Sequence, residues 1–132
     1  MSELFIAAFL GHLIGDYLLQ TKYMALNKSG EGWRGFRTCT WHVLIYTASI
    51  CLMLWNADVV LALAVSLPHW IIDRWSLSSF WLKLIKGRTF EAAYSSQDKY
   101  REFDIAFTSL VYTVVDNTFH LLSLWLVVKF LI

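Results

Sequence analysis

The chain has 132 residues, 58% hydrophobic and 16% charged, with a formal net charge of +1. That length holds one domain, expected over 1–132, and so small a charge gives no footprint for nucleic acid. A soluble domain carries about 45–50% apolar and about 25% charged residues, so this balance describes a chain whose surface meets lipid. Two Cys make no disulfide framework and no zinc-finger spacing. The start, MSELFIAAFLGHLIGDYLLQT, has no basic leader and carries His12 and Asp16 where the apolar core of a signal peptide would run.

Four hydrophobic segments are predicted in chain order. The first runs from about Leu4 to Thr21, apolar except for His12, Asp16 and Gln20. A polar stretch from Lys22 to Thr40 follows, with Gly30, Gly32 and Gly35 as breakers. Segment two runs from about Trp41 to Trp55 and segment three from Val59 to about Trp75, with a tight turn at Asn56-Ala57-Asp58 between them. Both are short for a full span and read together as a helical hairpin. The stretch from Ser76 to Asp104 is polar, with a short amphipathic interfacial piece at Phe80–Lys86. Segment four, Ile105 to Ile132, is long enough to cross a hydrocarbon core about 30 Å thick. The expected fold is all-α: a polytopic membrane helical bundle of about four transmembrane helices with one short interfacial helix.

The basic residues set an orientation. Lys22, Lys28, Arg34 and Arg37 lie in the first long loop; Arg74, Lys83, Lys86, Arg88, Lys99 and Arg101 lie in or at the start of the second. Lys129 alone lies elsewhere. Both loops are therefore placed in the cytoplasm, with both termini and the 56–58 turn outside. Seven Trp supply interface anchors.

All four His and three Asp fall in or beside these segments, as His12-x-x-x-Asp16, His42, His69-x-x-x-Asp73 and Asp116-x-x-x-His120. A spacing of four puts each pair on one helix face, one turn apart. Segment four runs opposite to segments one and three, and its motif is reversed, so all three pairs have the same order in space. Each Asp costs roughly 2.5–3.5 kcal/mol to place in a bilayer, a cost that a divalent cation offsets better than neutral imidazole does. Nitrogen and carboxylate donors suit a divalent transition metal, zinc first, then manganese or iron. His12, Asp16, His42, His69, Asp73, Asp116 and His120 are the candidate ligands, enough for one or two ions. Any single pair read alone is a helix-to-helix hydrogen bond, and His42 at a segment edge could simply be solvated. Gly11 and Gly15 form a small-x-x-x-small pair for close helix packing. Cys39, three residues before His42, reads as a free thiol. Arg74, beside Asp73, is a candidate phosphate ligand, against a basic residue snorkelling at the interface.

At the stretches GHLIGDYLLQTKYMALNK (11–28), WHVLIY (41–46), PHWIIDRW (68–75) and VDNTFHLL (115–122), the chain resembles the small bacterial and phage membrane proteins of domain of unknown function 3307. Its His/Asp arrangement is also similar to that of the membrane-bound metal-dependent hydrolases. The resemblance implies that the seven His and Asp residues belong to one motif set in a bacterial inner-membrane protein. Where that family often carries a second His four residues after the first, this chain has Tyr46.

Three functions are open to such a cluster. A metal-dependent hydrolase would activate water against a lipid or phosphoester, with Asp73 or Asp116 as general base. A metal or proton transporter or channel would use the same column as a path, but the outer halves of the segments are almost wholly apolar. A non-catalytic phage or bacterial membrane effector would use the cluster only to hold its bundle together. Membrane lipid is the expected partner, and an oligomer is open to the chain in any of the three.

Overall fold

The computed structural model describes residues 2–132, and the described residues form helices without strands. In chain order these are α1 (Ser2–Leu13), a π-turn (Ile14–Leu18), α2 (Lys22–Asn27), α3 (Gly32–Met53), α4 (Val59–Arg74), α5 (Leu77–Lys86), α6 (Phe90–Ser95) and α7 (Arg101–Leu131). The chain divides into two compact units, one formed by residues up to Trp75 with His120–Ile132, the other by Ser76–Phe119.

In the first unit, α3 is the central element, packed on α1, α2 and α4. Its 22 residues reach about 33 Å at 1.5 Å per residue. The helix starts nine residues earlier than hydropathy alone places it. Gly35 sits inside its first turns because the chain at Gly30 presses on it: a Cβ at Gly35 would lie 1.7 Å from the Gly30 carbonyl oxygen. The glycines of this stretch thus fold the α2–α3 loop tightly back rather than breaking the helix.

Gly11 and Gly15 do what their spacing predicts. A Cβ at Gly11 would lie 2.9 Å from Ile50 Cα, and one at Gly15 2.9 Å from Tyr46 Cα, so the backbones of α1 and α3 nearly touch. The turn at 56–58 is also as read. Asp58 caps α4 by accepting from the Val60 and Leu61 amides. Tyr46, Ile50, Leu61, Val65 and Leu124 form the apolar core of this unit.

In the second unit, α5 covers the expected amphipathic piece, and Gly87, in the left-handed conformation, ends it. Thr89 caps the short α6, a helix that the sequence reading did not single out. Ser78 Oγ donates to Asp116 Oδ1 at 2.6 Å, and Arg88 pairs with Asp104.

Among the described residues one helix, α7, is long and apolar enough to cross a membrane by length and composition. The other helices at the expected segments have 12, 22 and 16 residues.

Gly15→Ala is expected to destabilise the fold by about 1–3 kcal/mol, because a methyl group must displace Tyr46 or separate α1 from α3. Thermal unfolding measures it, and an unchanged midpoint would mean that the two backbones are not held this close.

Candidate metal centre

The interior of the first unit turns polar where α1, α3, α4 and the C-terminal half of α7 contribute histidines. His12, His42, His69 and His120 are all at most 1% exposed, and Asp73 is 3% exposed. The π-turn after α1 carries Asp16. Its Leu19 amide bonds to the Ile14 carbonyl, five residues back, which widens the turn beneath the carboxylate. His12 and Asp16 still share a face, with Nδ1 and Oδ2 3.2 Å apart.

Asp16 Oδ1, His42 Nε2 and His69 Nε2 form a triangle. Its sides are 3.2 Å from Asp16 to His42, 3.1 Å between the imidazoles and 3.5 Å from Asp16 to His69. With Asp73 Oδ2 in place of Asp16 Oδ1, all three sides are 3.1 Å. A tetrahedral ion about 2.0–2.1 Å from its ligands sets them roughly 3.3 Å apart, so either triangle has the size of one face of such a site. His120 Nε2 lies 3.4 Å from Asp73 Oδ1, which makes His69, Asp73 and His120 a second group able to hold an ion. The two groups share His69, and one ring nitrogen binds one ion. The geometry therefore limits Nε2 of His69 to a single metal at a time.

The donors fit a cation on a second count. Asp16 Oδ1 and Asp73 Oδ1 are buried and accept no well-aligned hydrogen bond, whereas Asp73 Oδ2 has the Lys28 ammonium at 2.8 Å. Buried carboxylate oxygens left that way are costly, and a positive ion among them removes the cost. The His69 ring is held in place by stacking on Tyr46, centroids 3.6 Å apart, and on His120, 4.1 Å apart. Tyr46, where the resembling family often has His, thus serves as a wall of the site. Gln20 Nε2 approaches His42 Nε2 at 3.0 Å.

One member was invisible in the sequence. Lys28 lies in the loop counted as solvated, yet it is 8% exposed and its Nζ sits 2.8 Å from Asp73 Oδ2. The signal was indirect: the glycines that let the loop fold back onto α3 also carry Lys28 inward.

Of the seven expected ligands, five (Asp16, His42, His69, Asp73 and His120) fall in the two donor groups. His12 touches the site through Asp16. Asp116 is in neither group and belongs to the second unit, bonded by Ser78. Arg74 is half-buried at the end of α4. The Cys39 thiol is directed to the Trp70 carbonyl, 3.8 Å away, and joins α3 to α4.

A helical protein with a buried His/Asp cluster able to hold a metal ion is the class that these features define. The chain belongs to the family described as protein of unknown function (DUF3307), which matches it over residues 4–132. No curated protein and no solved structure matches the chain.

Lys28→Met is expected to destabilise the metal-free protein by about 3–5 kcal/mol, because it strips a buried carboxylate of its partner. Added zinc should recover much of that loss by binding the folded state alone. Unfolding in chelator and in zinc measures both effects, and a variant as stable as the parent in chelator would remove Lys28 from the charge balance.

Proposed function

We propose that the chain is a multi-pass protein of the bacterial inner membrane and a metal-dependent hydrolase of a lipid or lipid-linked phosphoester. The observation that carries the enzymatic reading is the triangle of Asp16, His42 and His69. Three protein donors leave one position of a tetrahedral ion open, the arrangement of catalytic rather than structural zinc sites.

The membrane reading is supported by the surfaces of the helices. On α4, Leu63, Leu67 and Ile71 are exposed at four-residue spacing; on α7, Leu122 and Leu126 are exposed one turn apart, as are Leu110 and Val114. Soluble monomers rarely expose contiguous apolar patches of such extent. Lipid on these faces and polar groups inside is the arrangement that a bilayer requires. The basic loops then lie in the cytoplasm and the termini outside.

Within this reading Asp16, His42 and His69 hold the ion, because Asp73 Oδ2 already carries the Lys28 ammonium. When bound, zinc supplies Lewis acidity and lowers the pKa of water toward about 7. Asp73 is the general base, with Oδ2 3.1 Å from both ligand nitrogens and Oδ1 facing His120. His12 orients Asp16 from its other oxygen. Arg74, next in sequence to Asp73, meets the phosphate of the substrate. Asp116, engaged with Ser78, has no part in this scheme.

The Lys28–Asp73 pair favours a second reading, a membrane effector in which the cluster only ties the helices together. Asp73→Asn separates the two. For the enzyme, the zinc-loaded variant in lipid nanodiscs should remain folded and metallated but lose about 10²–10⁴-fold in hydrolysis of ester or phosphoester lipids. A folded, metallated variant with full activity would exclude Asp73 as base. A variant that cannot fold would support the scaffold.

A further inference from the structure

A second polar feature of the first unit lies away from the His/Asp cluster, where α2 meets the start of α3. A cavity of about 360 Å³ is lined chiefly by Tyr23, Trp33, Arg34, Arg37, Thr38 and Trp41, with no acidic residue in its wall. Arg34 donates through Nε to the Tyr23 hydroxyl at 3.1 Å, which fixes the guanidinium and leaves its two terminal nitrogens for a ligand. The same guanidinium lies over the Tyr23 ring, 5.3 Å from its centroid, and the Trp33 ring stacks on Phe36. Two of the surrounding aromatic faces are thus already occupied. Arg37 is exposed and makes no hydrogen bond or ion pair.

Two guanidiniums without a carboxylate in the wall select an anion, and planar guanidinium matches phosphate oxygens in pairs. The surroundings point to where that phosphate comes from. Trp33 and Trp41 are exposed beside the arginines, as at a headgroup boundary. From Trp41 the exposed side of α3 continues through Leu44, Ala48 and Leu52, an apolar track along which an acyl chain can lie. Two guanidiniums with no carboxylate in the wall also repel a choline ammonium, so the pocket favours a headgroup of net negative charge.

We propose that this pocket binds the phosphodiester headgroup of an anionic membrane phospholipid, its acyl chains running down α3. The inference rests on the membrane reading above but not on the metal site. It also bears on the substrate: Thr38, in the pocket wall, lies one turn before His42, on the order of 6 Å along the same helix. A lipid seated here would hold its phosphate near the level of the site.

The test uses the full-length protein in detergent, titrated with short-chain phosphatidylglycerol, short-chain phosphatidylcholine and inorganic phosphate, with binding read from tryptophan fluorescence. Arg37→Ala is the informative variant, because the Arg37 side chain is exposed, and parent-like thermal unfolding establishes its fold. Phosphatidylglycerol should bind at least about tenfold tighter than phosphatidylcholine, and Arg37→Ala should lose about tenfold, the scale of one charge-assisted hydrogen bond. Inorganic phosphate should compete only weakly. Equal binding of the two lipids, or lipid binding indifferent to Arg37, would overturn the inference while leaving the membrane reading intact. Phosphate that binds as tightly as the lipid would show a soluble-anion site and overturn the lipid assignment. Protein recovered soluble without detergent would instead overturn the membrane reading, and this inference with it.

Discussion

Two carboxylates, Asp16 and Asp73, sit with four imidazoles in the interior of a helical unit, and their charge has to be balanced there. Neutral imidazole contributes only hydrogen-bond dipoles to that balance. Lys28 supplies one positive charge, 2.8 Å from Asp73. Asp16 has no ammonium beside it; its contacts are to His12, His42 and His69. The imbalance falls on the side of the cluster where three donors lie 3.1–3.5 Å apart, the spacing that a single divalent ion imposes on its ligands. On the proposed reading an ion would sit beside Asp16 rather than Asp73 because of that asymmetry.

Much of the fold serves to bring these charges together. Gly11 and Gly15 let α1 approach α3 at backbone contact, and this close approach brings Asp16 to His42. The π-turn supplies a wider turn at Asp16. The tight pairing of Gly30 with Gly35 folds the loop so that Lys28 enters from the side. Tyr46 and His120 stack on His69 and fix the ring shared by both donor groups. Each device has a local origin in sequence, and they converge on one small volume.

The spacing of four residues made most of the site legible in the sequence. His12 with Asp16 and His69 with Asp73 were recoverable because helical periodicity fixes which residues share a face. The same rule paired Asp116 with His120, and Asp116 also accepts from Ser78. Lys28 was missed because a lysine in a glycine-rich loop carries no local sign that the loop folds inward. The early start of α3 was missed for a related reason: Gly32 and Gly35 read as breakers, whereas Gly35 is required by a backbone passing against it. The π-turn and α6 left no readable pattern, since an i→i+5 bond has no compositional signature and a six-residue helix is shorter than two turns. The 56–58 turn was legible from its polar Asn and Asp between two apolar segments, and the piece at α5 from its mix of lysines and apolar residues.

On the proposed reading the buried cluster binds a metal through nitrogen and oxygen donors. Metal analysis of the detergent-purified protein, joined to X-ray absorption at the metal edge, tests it most directly. About one zinc or similar ion per chain is expected, with only nitrogen and oxygen neighbours about 2.0–2.1 Å away, and loss of that ion in His69→Ala. A protein that takes up no metal, and whose unfolding is unchanged by chelator or added zinc, would contradict it; so would a sulfur neighbour at about 2.3 Å, the distance of a thiolate ligand.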